Sequence, residues 1–369
     1  MTLRTSLEDV LLLLQKLLRA EQILDVLYFA TSVKVNFALG GKNMIRSLIV
    51  FRASIVGLIA ALGLCISGAA LADWAPKKPI DFVIMAGKGG GADKMARLMQ
   101  SIVEKHNLSS KPLVPINKPG GSGAEALIHM KQKQGDNHTI MVTLNSFYTT
   151  PLRQPSLDVD ISTFTPIGRM AEDTFLLWVH VDSGIDNVDD FVAAAKAAGN
   201  GWLMAGTGKG QEDQLLTTFL NQAYGLDIKY VPFKGGGDVA KQLAGQHCNS
   251  TVNNPSEQLG FYEAGTTKAI AAFTPDRLPL FPDAPTFREL GKDYVYFMQR
   301  SVVGAPGMSP EAEAYYRNVF AQVYASDEWQ EYMAKKSLRG GFLTGTALKS
   351  YWAGEKAIHQ TMLEGIGEI

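Results

Sequence analysis

The sequence predicts an α/β protein in which parallel-rich sheets are flanked by helices. Short runs of apolar and β-branched residues alternate with helical patterns along most of the chain after residue 73, an order typical of parallel sheets covered on both faces. Glycine-rich turns lead from a strand into a helix at three places. The length of 369 residues is too great for one ordinary domain and fits two.

The N-terminal part of the chain is expected to precede this fold. Residues 55–66 form an apolar stretch, with Arg46 and Arg52 flanking its start and an A-x-A site at 70–72. That pattern is typical of a cleaved secretory signal peptide, which we assign to residues 44–72. An uncleaved membrane anchor is the alternative, because the apolar stretch is almost long enough to span a bilayer.

A further segment precedes this signal peptide. Signal peptides begin their chains, whereas residues 1–43 stand before Met44 here. We therefore interpret Met44 as the true start and residues 1–43 as a non-native upstream extension. The alternative is a genuine amphipathic N-terminal helix around residues 11–27.

The composition argues against several classes of protein. The formal net charge of −1 argues against a nucleic-acid partner, which would need a basic face. The six histidines show no metal-ligand spacing and no serine lies in a G-x-S-x-G turn, so we expect no enzyme, no metal and no cofactor. Cys248 is the one cysteine left after cleavage, which excludes an intramolecular disulfide and indicates a buried structural thiol.

The first predicted strand covers residues 80–85 and runs into a glycine turn over 87–93. The helix that follows has one apolar face, formed by Met95, Leu98, Met99, Ile102 and Val103. This turn also fits the dinucleotide fingerprint G-x-G-x-x-A. That fingerprint needs an acidic residue about 20 positions later, but the strand predicted there over 113–116 ends in Asn117 and Lys118 instead, so a dinucleotide site is not supported.

The second and third glycine turns cover residues 117–123 and 206–210. Ser122 and Glu125 have the spacing of a capping box, which predicts that a helix starts at the second turn. Further strands are predicted at 139–144, 175–181, 202–205, 228–231, 249–252 and 269–273.

Later helices are predicted over 188–198, 215–223, 310–324, 327–335 and 346–366. Asn187 and Ser309 are the predicted N-caps of the first and third of these, the latter supported by Pro310 at the first helical position. Gly199 and Gly225 are predicted to end the first and second.

The glycine turns predict capture of a small anion. A bare glycine turn at a helix N-terminus exposes backbone N–H groups beside the positive end of the helix dipole. All three turns follow strands directly, and ligands of such sheets bind outside the carboxyl ends of the strands. We therefore expect the three turns to face one crevice; the alternative for each is a connection without a ligand.

Three cations are candidates to assist such a site: Lys88, Lys209 and Arg300. We prefer Lys209 because it lies inside a glycine turn, although each of the three is also explained as a solvated surface charge. Asp93 stands at the start of the first helix and is interpreted as a cap. The alternative role for its carboxylate is to orient a bound ligand through water.

A series of short motifs occurs in a fixed order from Trp74 to the C-terminus. They are G-G-A-D at 90–93, N-K-P-G-G-S-G at 117–123, F-T-P-I at 164–167, G-T-G at 206–208, V-P-F-K-G at 231–235, P-D-A-P-T at 282–286 and A-P-G at 305–307. Together they resemble the Bug (TctC-type) family, the periplasmic substrate-binding receptors of tripartite tricarboxylate transporters. Lys88 departs from the family's usual proline or alanine, and Asn249 from a common aspartate.

The resemblance implies a two-lobed, type II-like periplasmic binding protein that closes around a small carboxylate by hinge motion. The first lobe is expected to comprise residues 73–170 plus 297–369 and the second residues 171–296. The ligand-binding residues it implies are Lys88, Gly89, Gly90, Gly91, Asp93, Asn117, Pro119, Gly120, Gly121, Thr143, Asn145, Gly206, Thr207, Gly208, Lys209, Gln211 and Asn253.

The resemblance also implies a periplasmic location, a monomer, and delivery of the carboxylate to the membrane subunits of a tripartite transporter. A sensory receptor that signals to a membrane kinase is an alternative, and a secreted enzyme is another that lacks a visible nucleophile–base pair. Dicarboxylates, tricarboxylates, aromatic acids and acidic amino acids all remain open as ligands.

Overall fold

The computed structural model describes residues 74–369, so the predicted signal peptide and upstream extension lie outside the described residues. The described residues form one compact unit. Its strands are β1 Ile80–Ile84, β2 Leu113–Asn117, β3 Thr139–Val142, β4 Thr165–Thr174, β5 Leu176–His180, β6 Leu203–Gly206, β7 Lys229–Pro232, β8 Ser250–Asn253, β9 Thr267–Ala272 and β10 Phe297–Gly304.

The α-helices lie between and after these strands. They are α1 Gly91–Lys105, α2 Ala124–Gln132, α3 Ser146–Arg153, α4 Val188–Ala198, α5 Glu212–Tyr224, α6 Gly236–Ala244, α7 Pro255–Glu263, α8 Pro310–Ala325, α9 Asp327–Lys335 and α10 Gly345–Gly365.

The strands form two five-stranded sheets. The first sheet has the order β2-β1-β3-β10-β4 and the second the order β7-β6-β8-β5-β9. In the first sheet β1 is parallel to β2 and β3, whereas β10 is antiparallel to β3 and β4. In the second sheet β6 is parallel to β7 and β8, whereas β5 is antiparallel to β8 and β9. Both sheets are therefore mixed.

Burial explains why the predicted elements form. In β1, Phe82, Val83 and Ile84 are fully buried, as expected for a strand covered by helices on both faces. The predicted apolar face of α1 packs inward, with Met95, Met99, Ile102 and Val103 buried and Leu98 half-buried.

The chain crosses between the two sheets twice, and the two crossings lie side by side. In the first crossing β4 ends in the first sheet and β5 begins in the second, with Phe175 between them. In the second, the chain returns through Tyr296 into β10. The Phe273 N–H donates to Phe175 O (3.0 Å) and the Tyr296 N–H to Phe273 O (2.9 Å), which ties the crossings together. The expected lobe boundary after residue 170 falls within β4, whose residues up to Thr174 pair in the first sheet.

Two strands, β4 and β10, were not predicted. Both interrupt their apolar residues with polar and charged ones, including Arg169 and Asp173 in β4 and Arg300 in β10. Their pairing shows register shifts between Arg300 and Ser301 and between Val302 and Val303. A strand whose charges are matched across the sheet has no apolar run to identify it.

Helix capping confirms two predictions and corrects one. The Asn187 side chain accepts the Asp190 N–H, and the Ser309 side chain accepts the Ala312 N–H. The capping box at Ser122 is wrong, because Ser122 has a left-handed backbone (φ 55°) and α2 starts after Gly123. An N-cap residue needs an extended backbone, which Ser122 cannot combine with this turn.

Cys248 is buried, as predicted, and its burial raises the pKa of the thiol to about 11. A thiol with such a pKa stays protonated at neutral pH and is a weak nucleophile. No α-helix within residues 74–369 combines the length and the apolar character needed to cross a bilayer.

Candidate functional site

A cavity of about 220 Å³ lies between the two sheets. It opens beyond the carboxyl ends of β1, β6 and β8, the position expected for a ligand site in an α/β fold. Its lining residues come from all three glycine turns and from helices of both sheets. Those that the sequence analysis singled out as ligand-binding are Gly90, Gly91, Pro119, Thr207, Gly208, Gln211 and Asn253.

Other expected ligand-binding residues do not line this cavity. Lys88, Gly89, Gly120, Gly121 and Lys209 are exposed, whereas Asp93, Asn117, Thr143, Asn145 and Gly206 lie behind the lining or beneath it. The buried members of this set hold the loops in place, as their hydrogen bonds indicate.

Asp93 fixes the first glycine turn. Its carboxylate accepts the Gly89 N–H (2.9 Å), Arg97 Nε (3.0 Å) and Asn117 Nδ2 (3.0 Å). Burial alone would raise the pKa of Asp93, but these hydrogen bonds hold it below its ordinary value. Asp93 is therefore a stable anion that braces the turn, and Asn117 joins the second turn to it.

Asn145 and Thr143 fix the end of β3 to β10. The Asn145 side chain donates to Phe297 O (2.9 Å) and accepts the Gln299 N–H (3.0 Å). Thr143 Oγ1 accepts Gln299 Nε2 at 2.7 Å. Both residues are therefore hydrogen-bonded to β10, the strand that contains Arg300.

Three side-chain carboxylates accept hydrogen bonds from backbone N–H groups of the loops. Glu257 Oε1 accepts the Gly91 N–H at 2.9 Å, and Glu212 Oε1 accepts the Asn145 N–H at 2.9 Å. Asp213 accepts the Thr207 N–H at 2.6 Å. The Glu257 and Glu212 bonds reach from helices of the second sheet to the start of α1 and the N-cap of α3. Sequence reasoning missed these acids; the signal was Glu212-Asp213 directly after the third glycine turn.

These three carboxyl groups line the cavity in a poorly solvated environment. Glu212 and Asp213 are buried and Glu257 is half-buried. Burial raises the pKa of Glu212 and of Glu257. Burial, and then the neighbouring charge of Glu212, raise the pKa of Asp213 well above its ordinary value.

Arg300 is the buried cation of the cavity lining. Its side chain is 2% exposed, and its Nη2 and Nε donate to Asp173 Oδ2 at 2.6 and 3.2 Å. Its Nη1 has no hydrogen-bond partner among residues 74–369. Burial works against its charge, but the Asp173 carboxylate raises the pKa of Arg300, which therefore stays charged. Lys209, the cation preferred from the sequence, lies outside the lining.

Direct contacts hold the loops of the two sheets together around the cavity. Lys94 Nζ donates to Ser256 O at 3.1 Å and Arg153 Nη1 donates to Lys209 O at 2.6 Å. Ser122 Oγ also donates to Lys209 O, at 3.4 Å. These three bonds link the part of the chain around the first sheet to the part around the second.

Comparison with known proteins gives one family. The model of the tripartite tricarboxylate transporter family receptor (TctC) matches residues 95–338. A UPF0065 protein of Cupriavidus necator is 25% identical over 325 residues, which cover 88% of this chain and 98% of that protein. BugT of Bordetella pertussis is 25% identical over 266 residues, 69% of this chain and 80% of the relative.

Solved structures have the same fold. The periplasmic binding protein BugD aligns with a TM-score of 0.73 at 21% identity, over 79% of this chain and 98% of BugD. An R. palustris protein solved with adipate gives 0.75 at 23% identity, over 80% and 99% of the two chains. MatC from Rhodopseudomonas palustris with bound malate gives 0.70 at 19% identity, over 78% and 99%.

The order of motifs, the two sheets with a cavity between them and the matching structures agree. The fold is that of a two-lobed periplasmic binding protein with its ligand cleft between the lobes. The chain belongs to the family of tripartite tricarboxylate transporter receptors, the TctC family, which is a family of solute-binding receptors and not of enzymes.

Proposed function

We propose that this protein is an extracytoplasmic receptor that binds a small carboxylate and delivers it to the membrane subunits of a tripartite tricarboxylate transporter. The observation that carries the proposal is the cavity, which is lined by all three glycine turns and by a buried arginine, Arg300. Backbone N–H groups at helix starts, together with a guanidinium, are the groups that proteins use to bind carboxylates.

The start of α1 and Arg300 form the proposed anion-binding wall. Gly91 and Ala92 line the cavity at the positive end of α1, where the first N–H groups lack partners within the helix; the Gly91 N–H already donates to Glu257, which leaves that of Ala92 for a ligand. Arg300 lies against Gly91, since a Cβ built on Gly91 would be 2.9 Å from Arg300 Nη2. A glycine at this position therefore lets the guanidinium and the helix start converge on one ligand group.

The size of the cavity favours a small solute. Its volume of about 220 Å³ lies below the roughly 300–1,000 Å³ of pockets for drug-sized ligands. The solved structures with adipate and with malate are in keeping with a ligand of this size. We propose a small carboxylate as the ligand class, which includes di- and tricarboxylates, aromatic acids and acidic amino acids.

Two further parts of the proposal concern location and partners. The signal peptide predicted over 44–72 supports export to the periplasm, where the family's binding proteins work. Delivery to membrane subunits follows the role of the family, and we propose that the receptor acts as a monomer. A receptor that signals to a membrane kinase would use the same cleft.

The direct test is thermal melting of residues 73–369 against a panel of small carboxylic acids. A ligand present at 100 times its dissociation constant stabilises the folded protein by about 2.7 kcal/mol, which raises the midpoint measurably. The variant Lys209→Met, at an exposed residue outside the cavity, should respond like the unchanged protein. A flat response from folded protein that carries no ligand from its preparation would contradict the proposal.

A further inference from the structure

The cavity has more acidic than basic side chains, although we propose it for a carboxylate. Its acidic and basic lining residues are Glu212, Asp213, Lys234, Glu257 and Arg300. The charge of Arg300 is already matched by Asp173 behind it, and Lys234 is exposed, so solvent screens its charge. A ligand with carboxylates alone would add negative charge beside three carboxyl groups.

Two of these acids have an oxygen that lacks a donor. Glu212 and Glu257 each use Oε1 to accept a backbone N–H. Their Oε2 atoms accept no hydrogen bond from any residue in the described range 74–369. Glu212 is only 2% exposed, so bulk water has little access to it. Neither Oε2 atom is fully buried, so each can accept a hydrogen bond from a ligand or water in the cavity that both residues line.

The cavity therefore contains unmatched groups of both kinds. Arg300 Nη1 is a donor without an acceptor, and the free oxygens of Glu212 and Glu257 are acceptors without donors. A dicarboxylate can satisfy the arginine and leaves the two acids unpaired. An ammonium group carries three N–H donors and a positive charge, which suits closely placed carboxylates.

We infer that the solute is an amino carboxylate, whose carboxylate binds Arg300 and the start of α1 and whose ammonium group binds Glu212 and Glu257. Asp213 lies beside Glu212 and lines the same cavity. The inference rests on the proposed function and deepens it, since it names the ligand class of the same site. Glu212 and Glu257 are then the residues that select against ligands lacking an amino group.

A metal ion does not explain these acids. Within residues 74–369 no group of three or more His, Cys, Asp or Glu side chains is arranged to hold a metal. Each of the three carboxylates also spends one oxygen on a backbone N–H, which leaves few ligand atoms for an ion. An organic cation needs fewer and less strictly placed oxygens.

Calorimetric titration with matched ligand pairs tests the inference. Residues 73–369 are titrated at pH 7.5 with aspartate and succinate, with glutamate and glutarate, and with 6-aminohexanoate and adipate. For at least one pair the amino compound should bind about tenfold or more tightly than its partner, because only it pairs the buried acids. Equal or tighter binding of the dicarboxylate in every pair would overturn the inference.

Isosteric variants show which residues cause the preference for the amino compound. Glu212→Gln and Glu257→Gln keep an oxygen for the backbone N–H and remove the charge, so each should weaken the amino compound about tenfold and narrow the preference within a pair. Asp238→Asn removes an exposed acidic charge outside the cavity and should leave the preference unchanged. Equal loss for both members of a pair would mean a structural role and would contradict the inference.

The outcomes separate this inference from the proposed function. Binding of dicarboxylates alone, tightening as the pH falls, would mean that the acids act as protonated donors; the receptor proposal would then stand and the amino carboxylate would be wrong. Binding of no carboxylate of either kind, by folded and empty protein, would contradict both.

Discussion

The ion pair of Arg300 and Asp173 joins β10 to β4 beside the cavity. Both side chains are almost completely buried, and Nη2 and Oδ2 lie 2.6 Å apart. Removing one partner of such a pair leaves an uncompensated charge away from water, which costs far more than the pair itself contributes. Arg300 also faces the cavity, so the pair links stability to binding.

We predict that Asp173→Asn destabilises the protein by about 3–5 kcal/mol, because Arg300 stays charged and loses its counter-ion. Urea unfolding of residues 73–369 measures the change. Arg288 and Asp293 form an exposed pair at the same 2.6 Å distance, which makes Asp293→Asn a matched control. The control should cost less than about 1 kcal/mol. Equal effects of the two variants would refute the prediction.

The helix α10 contacts the return crossing between the sheets through one buried histidine. His359 Nδ1 lies 2.7 Å from Glu355 O, so it carries the proton and donates to that carbonyl. His359 Nε2 then accepts from Tyr296 Oη (2.9 Å) and Asn145 Nδ2 (3.2 Å). Tyr296 belongs to the return crossing, so α10 is hydrogen-bonded to that crossing directly. Burial lowers the pKa of His359 to about 4 from an ordinary 6.5.

This buried histidine predicts acid sensitivity. Between pH 6.5 and pH 4 the unfolded chain binds a proton at His359 that the folded protein does not, so stability is lost as the pH falls. The loss amounts to about 3 kcal/mol. Glu355, whose pKa is raised to about 7 chiefly by burial, titrates in the opposite sense, so the difference between variants must be measured.

The measurement compares the free energy of unfolding at pH 7 and pH 4 for the unchanged protein and for His359→Gln. The variant should lose about 3 kcal/mol less, because it lacks the titrating group. His247→Gln, at an exposed histidine, should behave like the unchanged protein. The same pH slope in all three proteins would show that His359 does not titrate as described.

The elements differ in how well sequence patterns reveal them. Caps at Asn187 and Ser309 were predictable because they depend on a few neighbouring residues. The strands β4 and β10 were not, because Asp173 and Arg300 satisfy each other only after the chain has returned to the first sheet. The same holds for the site. The glycine turns are local signals, whereas Glu257 reaches Gly91 across 166 positions of sequence.

At the scale of the whole molecule, we propose that the two adjacent crossings act as a hinge between the sheets. Hydrogen bonds join the loops of the two sheets, among them the Arg153 bond to Lys209 O. Closure of such a receptor follows the ligand's differential affinity for the closed form. A substitution that weakens a contact between the loops should therefore reduce the apparent affinity for the ligand, even where the substituted residue does not contact the ligand.

We predict that ligand reduces the radius of gyration of residues 73–369 in small-angle X-ray scattering, since it shifts an open–closed equilibrium. Arg153→Met should raise the radius of the unliganded protein and weaken binding, because it removes a closing contact. Lys131→Met, which removes a bond to Asp158 O beside the first sheet, should change neither. Identical scattering with and without a bound ligand would rule out hinge closure.

The paired crossings have a consequence for the history of the chain. Residues 176–295, which contain the strands of the second sheet, leave after Phe175 and return at Tyr296, and the backbones of both residues are hydrogen-bonded to Phe273 at 3.0 and 2.9 Å. A segment whose two ends meet at one point can be exchanged as a cassette without rethreading the remainder. This cassette contains Glu212, Asp213 and Glu257, whereas the rest of the chain contains Arg300. Recombination can therefore replace the acidic residues of the site and keep the arginine that we propose binds the ligand carboxylate.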